Sequence, residues 1–182
     1  VANWFIGEYP ISAQGMGGRQ VRTGKDHGEI FDHHFVEYTY PSGAVIASQC
    51  RHQPDTMRRV SEFFQGTKGT VSTAGDKAEL KDWSGNTIFS HRGKDDPNPY
   101  QVEHIKLFES IRNGGVIANA ENGAKSTMTA ILGRMATYSG KVVKWDEAMH
   151  AAQAAVDKAR ATLDDDQESI HELATSLEVQ GD

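Results

Sequence analysis

Two rhythms of apolar and polar residues run along this chain, and the change between them falls near residue 98. Before it the pattern is that of short strands: "ISAQGMG", then "DHHFVEYTY" and "AVIASQCRH" joined by the turn "PSG" at 41–43. β-Branched and aromatic residues in short runs, bounded by turn residues, predict a β-hairpin. A second set follows: "VSEFFQG", the turn "GTKG" at 66–69, "GTVSTAG", "AELKDW", the turn "SGN" and "TIFSHRG". These read as an antiparallel meander, because no helical segment separates the strands. Gly15, Gly17, Gly18, Gly24 and Gly28 mark an irregular loop between the first strand and the hairpin.

After residue 98 the period becomes helical. Asn98 is a candidate N-cap, with Pro99 at the first helical position and Gln101 placed to reach back in a capping box. Val102, Ile105, Phe108 and Ile111 form the stripe expected to be buried, and Gly114 stops the helix. A second helix, 121–139, carries Ala124, Met128, Ile131, Leu132, Met135 and Tyr138 on one side, and Gly140 ends it. Its small residues Gly123, Ser126, Ala130, Gly133 and Ala136 let it approach another backbone closely, whether a helix, the sheet or a second domain. From Trp145 an alanine-rich helix runs to about Leu163, with Ala152, Val156, Ala159 and Leu163 as its stripe. Asp164, Asp165 and Asp166 suit the start of a last helix, in which Ile170, Leu173, Ala174 and Leu177 recur; a helical hairpin is expected there. At the other end Val1, Trp4 and Phe5 have helical spacing with no start signal in front of them, and Pro10 ends the pattern. The chain reads as a piece of a larger polypeptide.

Composition narrows the function classes. At 182 residues, 37% hydrophobic and 24% charged, the chain can bury a core and is not of the disordered class. A net charge of −6 with no basic block argues against a nucleic-acid partner. No apolar run approaches the roughly 20 residues that span a bilayer. With Cys50 alone, neither an intrachain disulfide nor a cysteine zinc site can form, and the cytoplasm is the default location. Cys50 sits in an apolar run and is expected to be a small buried hydrophobe.

The stretch "GMGGRQVRTGKDHGEIFDHH" at 15–34 offers three chemistries. A phosphate loop needs a strand before the glycines and a helix opening behind them, and no helical spacing follows here. For a metal, Asp32 and His34 share one strand face while His33 points to the other; a third ligand such as His52 carries no zinc spacing. The plainer expectation is a half-exposed polar face with His33 or Phe35 toward the core. The third chemistry is recognition of hydroxyls or carboxylates by Arg19, Gln20, Arg22, Lys25 and His27. Its alternative is a solvated loop pinned by arginine–carboxylate pairs to Glu29 or Asp32, and the two stay open. Arg51 and His52 either line the same cleft or close a strand end. Ser61, Glu62 and residues 66–69 read as turn and edge chemistry, and no nucleophile-elbow motif is present.

Several blocks together resemble one family: "VANW", "GEYP", "AQGMGGRQVRTGKDHGEIFDHHFVEYTYPSG", "SQCRH", "VSEFFQGTKG", "NPYQVEHIKLFESIRNGG", "ENGAKSTMTAILGRMATYSGK" and "WDEAM". Over residues 1–149 the chain is similar to the C-terminal domain of the glucose–fructose oxidoreductase/inositol dehydrogenase/rhizopine-catabolism (Gfo/Idh/MocA) family, in particular a bacterial branch of inositol-type or sugar dehydrogenases. The resemblance implies an α+β fold, with an open, mainly antiparallel sheet and helices on one face over 1–145; the helical tail over 146–182 is read from residue spacing, and after Met149 it is unlike the family's usual ending. It implies a full-length parent with an N-terminal Rossmann domain that binds NAD or NADP, and hydride transfer to or from a sugar or polyol. A lysine, a histidine and an aspartate would move the hydroxyl proton. The dinucleotide glycines, the Glu-Lys-Pro lysine and the His-Asn-x-Asp segment belong to the half that would precede Val1. No catalytic, cofactor-binding or metal residue is therefore expected within this chain, and no cofactor for it alone. The resemblance leaves Arg19, Gln20, Arg22 and His27 as substrate-side contacts. The expected partners are the sugar or polyol, the missing Rossmann domain and further copies in a homo-oligomer, with neither nucleic acid nor membrane. A stand-alone, non-catalytic carbohydrate-binding or assembly module is the alternative.

Overall fold

The computed structural model describes the backbone of residues 1–178 and the side chains through residue 168 apart from Asp165. The elements run α1 (Ala2–Ile6), β1 (Ser12–Gly18), β2 (His33–Thr39), β3 (Val45–Arg51), β4 (Glu62–Gly66), β5 (Gly69–Ala74), β6 (Lys77–Asp82) and β7 (Thr87–Arg92). They continue with α2 (Pro99–Asn113), α3 (Ala120–Ser139), β8 (Val143–Lys144) and α4 (Trp145–Glu178). The fold class is α+β. Its strands divide between two four-stranded antiparallel sheets, β3-β2-β1-β8 and β4-β5-β6-β7. These belong to two compact units: Val1–Gln53 with Asn119–Asp182, and Pro54–Ala118.

In the first unit α3 lies on β1 and β2. Every second residue of the sheet faces it: Ala13 on β1, Val36 and Tyr38 on β2, and Tyr40 just beyond. They meet Met128, Leu132 and Ala136 of α3, and Val143 and Ala148 complete the core. The approach is close because two glycines face each other's elements. A Cβ on Gly15 would stand 2.3 Å from the Phe35 carbonyl oxygen and 3.1 Å from Thr137 Cγ2. A Cβ on Gly133 would stand 2.0 Å from Tyr38 Oη. Gly15, Gly17 and Gly18 are therefore strand residues, paired with Val36, His34 and His33, and only Gly24 and Gly28 belong to the loop. The small side of α3 has found the sheet, through Gly133 and Ala136; Gly123, Ser126 and Ala130 stay exposed.

The same alternation corrects three expectations. Val36, Tyr38 and Tyr40 point to the core, whereas His33 and Phe35 lie on the opposite face of β2. Ile131 and Tyr138 flank the buried stripe of α3 and remain exposed. Cys50 is exposed as well, because β3 is the edge strand and α3 covers β1 and β2 instead. Short polar bridges tie α1 down: Asn3 Nδ2 donates to Thr129 Oγ1 at 2.9 Å, and Tyr40 Oη donates to Asn3 Oδ1 at 2.6 Å.

The second unit holds the expected meander. Phe64, Val71, Leu80 and Phe89 form one cross-strand row, with an irregularity between Leu80 and Lys81. Helix α2 starts and stops as predicted, on the Asn98 cap with Pro99 behind it, and at left-handed Gly114. Gln101 meets Asn98 through its backbone N–H, 3.0 Å from the Asn98 carbonyl oxygen. The stripe of α2 is not buried, however: Ile105, Phe108 and Ile111 are exposed.

The tail is one continuous helix, not a hairpin. Residues 164–166 lie inside α4. Aspartate costs a helix interior at most about 0.7 kcal/mol per residue, and no glycine or proline accompanies these three, so nothing stops the helix. The side chains of Ile170, Leu173, Ala174 and Leu177 fall outside the described residues.

Candidate functional site

Between β1 and β2 the chain leaves the sheet at Gly18 and returns at Asp32, whose N–H donates to the Gly18 carbonyl at 2.9 Å. The Asp32 side chain closes this loop at its root. Its Oδ2 accepts the backbone N–H groups of Gln20, Val21 and Arg22 at 2.7, 2.8 and 3.0 Å. Its Oδ1 lies 2.8 Å from His33 Nδ1. The Asp32 carbonyl accepts the N–H of His52 at 2.7 Å, tying the root to the end of β3. Asp32 is 2% exposed. Burial alone would raise its pKa, but the hydrogen bonds from Arg22, His33, Val21 and Gln20 outweigh it and hold the carboxyl far below the usual carboxylate range. Three converging N–H groups on one carboxylate oxygen make the loop root rigid.

The candidate substrate contacts distribute over this frame unequally. Arg19 donates to the Gly28 carbonyl and pairs with Glu29 at 3.0 Å, bracing the loop from within. This is the arginine–carboxylate pinning weighed from the sequence, with Glu29 as partner; Asp32 is engaged by backbone instead. Gln20 Oε1 accepts from Gln53 Nε2 at 3.0 Å. Arg22 Nη2 lies 3.3 Å from His52 Nδ1, so the end of β3 does approach the loop. His27 sits exposed on a 3-10 turn at Lys25–His27. Asp32, His34 and His52 each have separate partners, and among the described residues no group of three His, Cys, Asp or Glu side chains could hold a metal.

A second cluster beside the loop was not legible as a site. Phe31 stacks on Tyr138 of α3 with ring centroids 3.9 Å apart and 13° between planes. Tyr138 Oη accepts the Phe31 N–H at 2.9 Å and donates to the Glu29 carbonyl at 3.2 Å. The Arg134 guanidinium lies 5.0 Å from the Tyr138 ring centroid. His34 Nδ1 lies 2.9 Å from Thr137 Oγ1, and that hydroxyl donates its single proton to the Arg134 carbonyl at 3.0 Å. The imidazole must then be the donor, which places its proton on Nδ1 and its lone pair on Nε2. Burial, with the charges of His33 and Arg134, lowers the His34 pKa. The sequence signals for this cluster were His34, weighed as a metal ligand, and Tyr138, read as core because its spacing fits the apolar stripe of α3.

No protein-family model matches the chain, and no curated protein matches it. Solved structures do. One is a protein of Thermotoga maritima classed by inference as an oxidoreductase (TM-score 0.60, 18% identity, 78% of this chain and 42% of that one). Another is an aldose–aldose oxidoreductase of Caulobacter crescentus, complexed with glycerol (TM-score 0.60, 22% identity, 79% and 43%). A third is an oxidoreductase of Agrobacterium radiobacter in complex with NAD+, L-tartaric acid and magnesium (TM-score 0.55, 14% identity, 80% and 46%). The chain spans less than half the length of each.

Proposed function

From the premise that this chain has the Gfo/Idh/MocA-like fold shared with these oxidoreductases, we propose that it is the substrate-side domain of an NAD(P)-dependent sugar or polyol dehydrogenase. The observation that carries this reading is the shared fold, which the chain matches over less than half of each oxidoreductase. The glycerol and tartaric acid held by two of those proteins are polyhydroxy compounds of the class proposed here. The loop supports it: Asp32 fixes the backbone from which Gln20 and Arg22 project, and His27 stands exposed at its tip. Amide, guanidinium and imidazole groups on a rigid root suit the recognition of hydroxyl groups. Arg19 belongs to this set through its position, although its guanidinium also holds the loop together.

The glycines of β1 do not form a dinucleotide loop. Gly15, Gly17 and Gly18 are paired strand residues, and the space above Gly15 is taken by Phe35 backbone and Thr137. No helix opens behind them to face a pyrophosphate. We assign NAD or NADP, and the proton-transferring residues, to a Rossmann domain of the parent enzyme, which works as a cytoplasmic homo-oligomer; no step is derived through the cofactor here. Among the described residues no helix is long and apolar enough to cross a membrane.

The experiment has two arms. The coding frame upstream of Val1 should run back through a His-Asn-x-Asp segment to a strand–glycine–helix fingerprint. The purified chain, given NAD+ or NADP+ and a polyol panel, should form no reduced nicotinamide. Turnover by the isolated chain would overturn the reading. So would a start codon at Val1 together with saturable, cofactor-independent sugar binding, which would make it a stand-alone module.

A further inference from the structure

Helix α4 is 34 residues long, about 51 Å at 1.5 Å per residue. Its first turns are anchored: Trp145, Ala148 and Ala152 pack with the core of their unit. Beyond Ala152 the described side chains through residue 168 are exposed, including Val156 at 46% and Leu163 at 60%. A helical segment of that length, with no face buried, gains little from propensity alone.

Because the helix is unbroken at 164–166, its apolar positions can be counted through as one series. Met149, Val156, Leu163, Ile170 and Leu177 recur every seven residues. Ala159, Asp166 and Leu173 fall three residues after Val156, Leu163 and Ile170, while Ala152, the preceding member of that set, packs on the core of its own unit. That is a heptad, with the first set at a and the second at d, and a sustained seven-residue period specifies a left-handed coiled coil rather than packing on a sheet. The flanking positions Gln153, Ala155, Arg160, Thr162 and Gln167 carry a single charge among them. The charges collect at outer positions instead, in Asp157, Lys158, Asp164 and Glu168. Two identical helices meeting along this seam set no like charges against each other between their flanks, and the one like-charge meeting falls inside the seam, at Asp166.

We propose that α4 pairs with α4 of a second copy of this chain in a two-stranded coiled coil. Among the a and d positions of the sequence from Met149 to Leu177, Asp166 is the one polar residue, and a polar residue there selects register and weakens the pair. This proposal does not depend on the oxidoreductase reading. A different self-association surface is available on the sheet face opposite α3, where Met16 is exposed opposite Phe35, so the test must separate the two.

Sedimentation equilibrium of the purified chain should give a concentration-dependent dimer. Leu163→Glu, at an exposed site that tolerates a good helix former, should weaken the dimer at least tenfold. Asp166→Leu should tighten it at least tenfold, and Met16→Glu should leave it unchanged. Hydrogen exchange of α3 and β2 amides, unchanged across the three variants, shows that the first unit stays folded. A monomer at every accessible concentration would overturn the proposal. A dimer dissolved by Met16→Glu and indifferent to Leu163→Glu would overturn it equally.

Discussion

Gly133 is where the packing of α3 on the sheet is most sharply exposed to test. Alanine in place of glycine inside a helix ordinarily stabilises by about 1 kcal/mol. Here the added methyl would lie 2.0 Å from Tyr38 Oη, 2.9 Å from Tyr38 Cζ and 3.3 Å from Val36 Cγ1. Both neighbours belong to the buried core, so neither can swing into solvent, and overpacking of this kind costs roughly 1–3 kcal/mol. The net expectation for Gly133→Ala is a loss of about 1 kcal/mol, the clash exceeding the helix gain. Tyr38→Phe removes the nearest atom, so the two substitutions must couple. Gly133→Ala should be less harmful in the Tyr38→Phe background by about 0.5 kcal/mol or more. The assay is urea unfolding followed by tryptophan fluorescence in a Trp83→Phe background, which leaves Trp4 and Trp145 to report the first unit alone. With a urea dependence of about 2 kcal/mol/M, the midpoint should fall by roughly 0.5 M. A midpoint that rises would mean the helix gain is unopposed. A strictly additive double mutant would mean that the Tyr38 hydroxyl is not the obstacle.

Two other predictions concern the loop and its neighbour. Asp32 has a folded pKa below its unfolded value of 3.8, so its stabilisation is complete at neutral pH. It begins to fade only as pH falls below about 3.8. Asp32→Asn should speed hydrogen exchange of the Gln20, Val21 and Arg22 amides at neutral pH and abolish that acid dependence; unchanged exchange would show that the carboxylate does not hold the loop. His34 also has a lowered folded pKa, so its contribution is present above the unfolded value of about 6.5 and is lost as pH falls through the folded one. Nitrogen chemical shifts should find its neutral ring protonated at Nδ1, and a proton on Nε2 would refute the network drawn through Thr137 and Arg134.

Strand rhythm and cap chemistry were local signals, and where structure depends on local signals the sequence was readable. The hairpin, the meander, the Asn98 cap and the stops at Gly114 and Gly140 all follow from residues within a few positions of the feature they set. The errors arose where one residue type serves two physical purposes. Glycine marks a loop by its freedom of backbone, and it also marks close approach by its missing side chain; at Gly15 the second holds, and only the partner helix reveals it. Cys50 has the neighbours of a buried residue in sequence but lies on an edge strand in space. Aspartates favour a helix start, yet without a glycine or proline they do not end the helix they lie in.

The loop shows the same division at the level of the site. From the sequence, its arginines could equally serve a ligand or the fold, since a guanidinium binds either carboxylate with the same geometry. The structure assigns the task of holding the loop chiefly to Asp32, a residue first weighed as a metal ligand or an arginine partner. By taking three backbone N–H groups, that carboxylate spares the side chains of Gln20 and Arg22 from closing the loop root. Their contacts to Gln53 and His52 lie near the protein surface, at 3.0 and 3.3 Å between exposed groups. Exposed hydrogen bonds of this kind exchange for others at little net cost, since water competes for every partner. On the function proposed above, a polyol hydroxyl would replace Gln53 or His52 without unfastening the loop, whereas replacing the Glu29 partner of Arg19 would loosen the loop's own bracing. Of the four candidate contacts, Gln20, Arg22 and His27 are consequently the ones whose alanine variants should weaken ligand binding while leaving amide exchange at the loop root unchanged. Arg19→Ala should disturb both, and the difference between these two responses separates recognition from scaffolding within one loop.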